Sequence, residues 1–343
     1  MSTCRKQILC LFTGFFLLAI LISPAKPLAA PYYEGKVISI IVGLAAGTGY
    51  DQVARVLAKH LPKHIPGKPS VIVQNMPGAD SIIAANHIYN VSKPDGLTIG
   101  LFNKNLSFPQ LLKVEAVKFD LNKFSWIGSA SIDFTILAIR SDLPYKTIQD
   151  VLNAKKLIFL GGSGPATPNT QLPLILKDFA GLNVQVVEYR SSAEIWLGIE
   201  RKECDGLYIA YNSGRQYFAR GLVRPILRTR IPKLGIYPGD IENLPVDEDF
   251  ITDPMGKTLM TLYAAQNYAG KPFMAPPGTP ANVMNIMRDA FAKTLKDPEL
   301  QADAEKALMD LEYVSSEECL KHLNYILQQP APVVKTISKY VKF

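Results

Sequence analysis

Gly43, Gly47 and Gly49 follow directly on the β-branched run at residues 37–42, and from Asp51 onward Val53, Leu57 and Leu61 recur every four residues. Glycines there let the main chain bend tightly or approach a bound group closely. The helix that the spacing opens at Asp51 leaves its first N–H groups without intrahelical partners. Such donors hold an anion with no need of a buried lysine or arginine. Anion capture is therefore the chemistry this stretch can do. Residues 75–81, Asn-Met-Pro-Gly-Ala-Asp-Ser, repeat the arrangement, with a Pro-Gly bend between the apolar run at 70–74 and a short helix at 82–89. A carboxylate at Asp51 repels an anion, so its expected work is to cap the helix and brace the bend. Residues 161–170, Gly-Gly-Ser-Gly-Pro-Ala-Thr-Pro-Asn-Thr, form a third loop rich in glycine and hydroxyls.

Other chemistries fit less well. Gly43, Gly47 and Gly49 also have the spacing of a short-chain-dehydrogenase fingerprint, so a nucleotide-binding enzyme of that kind is the alternative reading. Against it, the second strand ends in Gln74-Asn75 and not in the acidic residue that would hold a ribose. The Tyr-x-x-x-Lys pairs Tyr32/Lys36 and Tyr89/Lys93 also come too early for a catalytic pair. Ser163 sits in a near nucleophile elbow that ends in Pro165, and His322 is the only histidine after it. His60 and His64 have the spacing of a metal pair, but Pro62 interrupts the helix between them. No catalytic residue, metal or cofactor is expected. Arg215, Arg220, Arg224, Arg228, Arg230 and Lys233 form a basic run that reads as a solvated face or as a docking surface for a membrane partner. Arg190 could reach a ligand carboxylate or pair with Glu194.

The elements that must position these loops alternate. Strands are expected at 37–42, 70–74 and 97–102 with helices between them, the pattern of a parallel sheet with right-handed crossovers. In such sheets ligands sit beyond the carboxyl ends of the strands, where both bends lie. A second α/β unit follows, with strands near 134–139, 157–160, 184–189, 207–210 and 222–227. The Pro-, Gly- and acid-rich residues 231–253 read as a crossing segment. Residues 258–265 and 271–275 then read as a return to the first sheet, and three helices are expected between 280 and 327.

The chain of 343 residues is 48% hydrophobic and 20% charged, ordinary for a globular protein of two domains. Arg5 and Lys6 precede an apolar run at 8–22 and a small-residue exit at 28–30, which predicts a secretory leader cut near Ala30. The formal charge of +7 falls by three when Arg5, Lys6 and Lys26 leave with it, too mild a balance for nucleic acid. Cys204 and Cys319 remain and are expected to be free thiols.

Three segments near the start, 42–55 (Val-Gly-Leu-Ala-Ala-Gly-Thr-Gly-Tyr-Asp-Gln-Val-Ala-Arg), 73–81 (Val-Gln-Asn-Met-Pro-Gly-Ala-Asp-Ser) and 93–99 (Lys-Pro-Asp-Gly-Leu-Thr-Ile), carry a family resemblance. With 187–194, 203–206 and 275–281 in the same order, the chain resembles, over roughly residues 33 to 330, the receptor family of tripartite tricarboxylate transporters, also called the Bug family. The resemblance implies a periplasmic solute receptor, not an enzyme. Its fold would be α/β, two-lobed and periplasmic-binding-protein-like, a type II Venus flytrap whose hinge is crossed twice. The lobes would be 31–134 plus 240–343, and 135–239, after the leader at 1–30. It also implies a monomer that closes on a small carboxylate and hands it to a transporter of the tripartite tricarboxylate type. The ligand carboxylate would be held, partly through water, by Leu44, Gly47, Thr48, Gly49 and Asp51 in the first bend and by Pro77, Gly78, Ala79 and Ser81 in the second. Ser163, Thr167, Asn169, Thr170, Tyr189, Ser191 and Asp205 would meet its far end. The chain departs from the family where Gly43 and Leu44 replace a proline and a phenylalanine, and where Asn169-Thr170-Gln171 stands in place of a histidine.

Overall fold

The structure, a computed structural model, describes residues 31–165, 167–230 and 241–342; the expected leader and Lys233 lie outside them. In chain order the elements are β1 (Val37–Val42), α1 (Gly49–His60), β2 (Ser70–Asn75), α2 (Ile82–Asn90), β3 (Thr98–Leu101), α3 (Ser107–Leu111) and β4 (Ser125–Ser129). A second group comprises β5 (Thr135–Arg140), α4 (Ile148–Leu152), β6 (Ile158–Gly162), α5 (Pro168–Ala180), β7 (Val184–Glu188), α6 (Ser192–Glu200), β8 (Gly206–Ala210), α7 (Tyr211–Ala219) and β9 (Val223–Arg228). Then come α8 (Pro254–Gln266), β10 (Pro272–Ala275), α9 (Ala281–Leu295), α10 (Pro298–Lys306), β11 (Val314–Ser315), α11 (Ser316–Leu327) and α12 (Ala331–Ile337).

The strands form two mixed sheets, β11-β4-β10-β3-β1-β2 and β7-β6-β8-β5-β9. In the first, β1 runs parallel to β2 and β3, and all three end side by side at Val42, Asn75 and Leu101. β10 is antiparallel and begins opposite the end of β4, with Pro272 facing Ser129. In the second, Gly162 and Glu188 end β6 and β7 together, and β5 begins opposite the end of β8, with Thr135 facing Ala210. The chain leaves the first sheet at Ser129 and enters the second at Thr135. The carboxyl ends of both parallel sets therefore face one junction, which is where bends after strands can act together.

Residues 258–265 depart from expectation. Their apolar run suits a buried strand, yet Asp253 accepts from the N–H groups of Met255 and Gly256 and Pro254 sits in the first turn, so a helix starts there. This helix, α8, buries Leu259, Met260, Leu262 and Tyr263 in one core with Leu137, Ile139 and Leu160 of the second sheet. The return to the first sheet runs through 267–271, and the 241–250 segment stays beside β9, with Arg228 bridged to Val246. Val333, Ile337, Tyr340 and Val341 at the end of the chain join the same core, and Tyr340 donates to Asp178 at 2.6 Å. Residues 254–266 and 331–341, expected with the first lobe, thus pack on the second sheet. No helix among the described residues is long and apolar enough to cross a membrane.

Candidate anion-binding site

The first bend is built by hydrogen bonds from its own side chains. Thr48 has extended backbone angles and caps α1, accepting from the Asp51 N–H (3.5 Å) and donating to the Ala45 carbonyl (2.8 Å). Asp51, expected to cap the helix and brace the bend, lies inside the first turn and does only the second. Only 2% exposed, it accepts from the N–H of Gly47 (2.8 Å), Nε of Arg55 (3.0 Å) and Nδ2 of Asn75 (3.0 Å). Burial pushes its carboxyl up, but these donors outweigh burial and hold it below the usual range. Asn75 Nδ2 also donates to the Leu44 carbonyl (3.0 Å), so the residue that breaks the dinucleotide pattern ties β2 to the bend. Gly47 has φ +82°, the left-handed region open to glycine. The N–H groups of Gly49 and Tyr50 open the helix without partners among the described residues.

The second bend is tighter. After Pro77 and Gly78, three non-glycine residues, Ala79, Asp80 and Ser81, take φ of 44°, 51° and 79° in succession. Side chains at two of them offset the strain. Ser81, fully buried, donates through Oγ to the Gly43 carbonyl (3.1 Å) and accepts from the Asn103 N–H (3.0 Å), stapling the ends of β1, β2 and β3 together. A Cβ at Gly43 would lie 2.5 Å from that Oγ, which is why glycine stands there. Asp80 accepts from Asn103 Nδ2, and burial raises its carboxyl pKa.

The second-sheet candidates are mostly engaged with one another. Asn169 Oδ1 accepts from both N–H and Oγ of Ser163 and contacts Thr167 Oγ1, while Thr170 donates to Glu188 (3.1 Å). Ser191 caps α6, accepting from the Glu194 N–H. Tyr189 packs beside Gly198 and joins a core with Trp196 and Cys204. Asp205 holds the Phe159 N–H (3.0 Å) at the amino end of β6, opposite the end that carries Ser163, so the structure removes it from the junction. Arg190 meets Glu194 through its backbone N–H.

A cavity of about 450 Å³ lies between the sheets. Gly47, Gly49 and Gln52 line it from the first bend, Ser131 and Lys271 from the crossings, and Asn212, Ser213 and Arg215 from α7. Arg215 reaches across it to Asp310 (3.2 Å), a residue that follows α10. Gly47, Gly49 and Arg215 stand out in the sequence, whereas Asn212 and Ser213 do not, because α7 follows β8 without a turn signal. The basic run is not one patch: Arg220 pairs with Glu200, Arg230 with Glu248 and Asp249, and Arg224 donates to the Ser141 carbonyl.

The rival chemistries find little geometry. His322 stacks on Tyr268 and meets Glu318 (2.9 Å), with no contact to Ser163. His60 and His64 pair with Asp303 (2.9 Å) and Asp297 (2.8 Å). His60, Asp297 and Glu299 could surround an ion, but the Lys63 ammonium stands on both carboxylates. Cys204 and Cys319 are buried free thiols.

A sequence model described as the tripartite tricarboxylate transporter family receptor matches residues 53–238. A UPF0065 protein of Bordetella pertussis is 25% identical over 329 residues, covering 92% of this chain and 94% of that protein. A TctC solute binding protein from Polaromonas superposes with a TM-score of 0.68 at 20% identity, over 90% of this chain and 99% of that one. An R. palustris protein solved with adipate gives 0.65 at 17% identity, over 88% and 97%. The two structures share this fold of two α/β sheets about a junction.

Proposed function

Because the chain belongs to the receptor family of tripartite tricarboxylate transporters, we propose that it is a monomeric periplasmic receptor that captures a small carboxylate between its sheets and presents it to a tripartite membrane carrier. The observation that carries this reading is the cavity of about 450 Å³ into which the first bend turns the open start of α1. Backbone N–H groups there bind an anion by charge-assisted hydrogen bonds. The similar R. palustris protein solved with adipate supports the ligand class.

On this reading the lobes are the two sheets with the helices packed on them, the second taking α8 and α12. The crossings at 130–134 and 267–271 form the hinge. A ligand that touches both walls of the cavity favours the closed arrangement in proportion to its extra contacts there. The protein needs no cofactor and performs no catalytic step. The test is a thermal-shift screen of the full chain against mono-, di- and tricarboxylates with NAD and NADP alongside. A cognate carboxylate at a hundredfold excess over Kd stabilises by about 2.7 kcal/mol. Stabilisation by a nucleotide alone overturns the proposal, and so does a full carboxylate set without effect.

A further inference from the structure

Asp133 carries two lysines. Lys104 Nζ lies 3.2 Å from its Oδ2, and Lys271 Nζ lies 3.0 Å from the same oxygen and 3.3 Å from Oδ1. All three side chains are largely buried. They come from three segments: Lys104 from the loop after β3, Asp133 from the first crossing and Lys271 from the second, with Asn267 accepting from Lys104 at 2.6 Å. No other carboxylate among the described residues forms a salt bridge with either lysine. One carboxylate against two ammonium groups leaves a buried positive charge, and an uncompensated buried charge is costly to the fold. The neighbouring charges do not cancel it. Arg215 and Asp310 neutralise each other, and Asp80 accepts from the neutral Asn103 amide and forms no salt bridge with either lysine.

Of the two lysines, Lys271 lines the cavity. Its ammonium lies 4.4 Å from the centre of the Tyr50 ring, in the helix turn that keeps its N–H groups open. We propose that Lys271 is the charged ligand contact of the cavity: a carboxylate seated at the start of α1 supplies the second negative charge that Lys104, Asp133 and Lys271 lack. Lys104, tied to both crossings through Asp133 and Asn267, is the positioning residue. This deepens the carboxylate reading of the cleft and rests on it.

The test combines isothermal titration with adipate, malate and citrate and ligand-free thermal melts, on wild type, Lys271→Gln and Lys271→Arg. For whichever probe the wild type takes, Lys271→Gln is expected to weaken binding by on the order of tenfold or more, and Lys271→Arg to restore most of it. The ligand-free melting temperature of Lys271→Gln should hold or rise, because an excess buried charge has gone. Lys271→Gln binding as wild type does, or Lys271→Arg failing as Lys271→Gln does, overturns the proposal. If wild type takes none of the three probes, the carboxylate reading loses its support, and the ligand-free melts decide on the charge. A rise then supports an uncompensated ammonium, and a fall shows that Lys271 only braces the fold.

Discussion

At the scale of single residues, the first bend shows how a side chain can serve an anion site without touching the anion. Asp51 takes up the Gly47 N–H and anchors Arg55 and Asn75, leaving the donors of the next residues free. The sequence showed a polar residue at the start of a helix but not which one capped it. Thr48 and Asp51 both suit the role, and the choice turned on a helix start two residues earlier than the apolar spacing indicated. Asp51→Asn removes charge from three hydrogen bonds and is expected to cost about 2 kcal/mol at neutral pH in urea melts. The folded carboxyl lies below its unfolded value, so its contribution is present above the unfolded pKa and disappears as pH falls through the folded one. The gap between wild type and Asp51→Asn should therefore close on acidification, and a gap independent of pH would refute the bracing role of the charge.

Among the elements, the second bend stores strain that sequence inspection could not detect, because Pro77-Gly78 predicts a turn and says nothing of the three residues after it. Ser81 and Asp80 recover their cost through bonds to Gly43 and Asn103, whereas Ala79 is exposed and has only a methyl group. A left-handed non-glycine residue costs roughly 1–2 kcal/mol, and glycine returns part of that as lost chain entropy. Ala79→Gly is expected to raise stability by about 0.5–1 kcal/mol in denaturant melts. A destabilised Ala79→Gly would mean that the bend is relaxed. The strands and their order of alternation were legible because apolar runs punctuated by glycine and proline are local signals. α8 was not: its buried faces erase the helical period, and only its cap at Asp253 distinguishes it.

For the whole molecule, the two-sheet plan followed from alternation, but the position of the second crossing did not. A Pro- and Gly-rich segment has the same composition whether it passes between lobes or lies along one, and here the passage is at 267–271. The tail that ends in α12 likewise gives no sequence sign of its partner. Ile337, fully buried in the second core, should cost about 2–4 kcal/mol when replaced by alanine. Equal urea midpoints for wild type and Ile337→Ala would place α12 outside that core. The seating of α12 also sets a schedule. Ile139 and Ile337 share one core although more than half of the chain separates them, so the second sheet cannot be sealed until nearly all of it has been synthesised. Closing so large a loop is entropically slow, so the core of the second sheet should be completed late in folding.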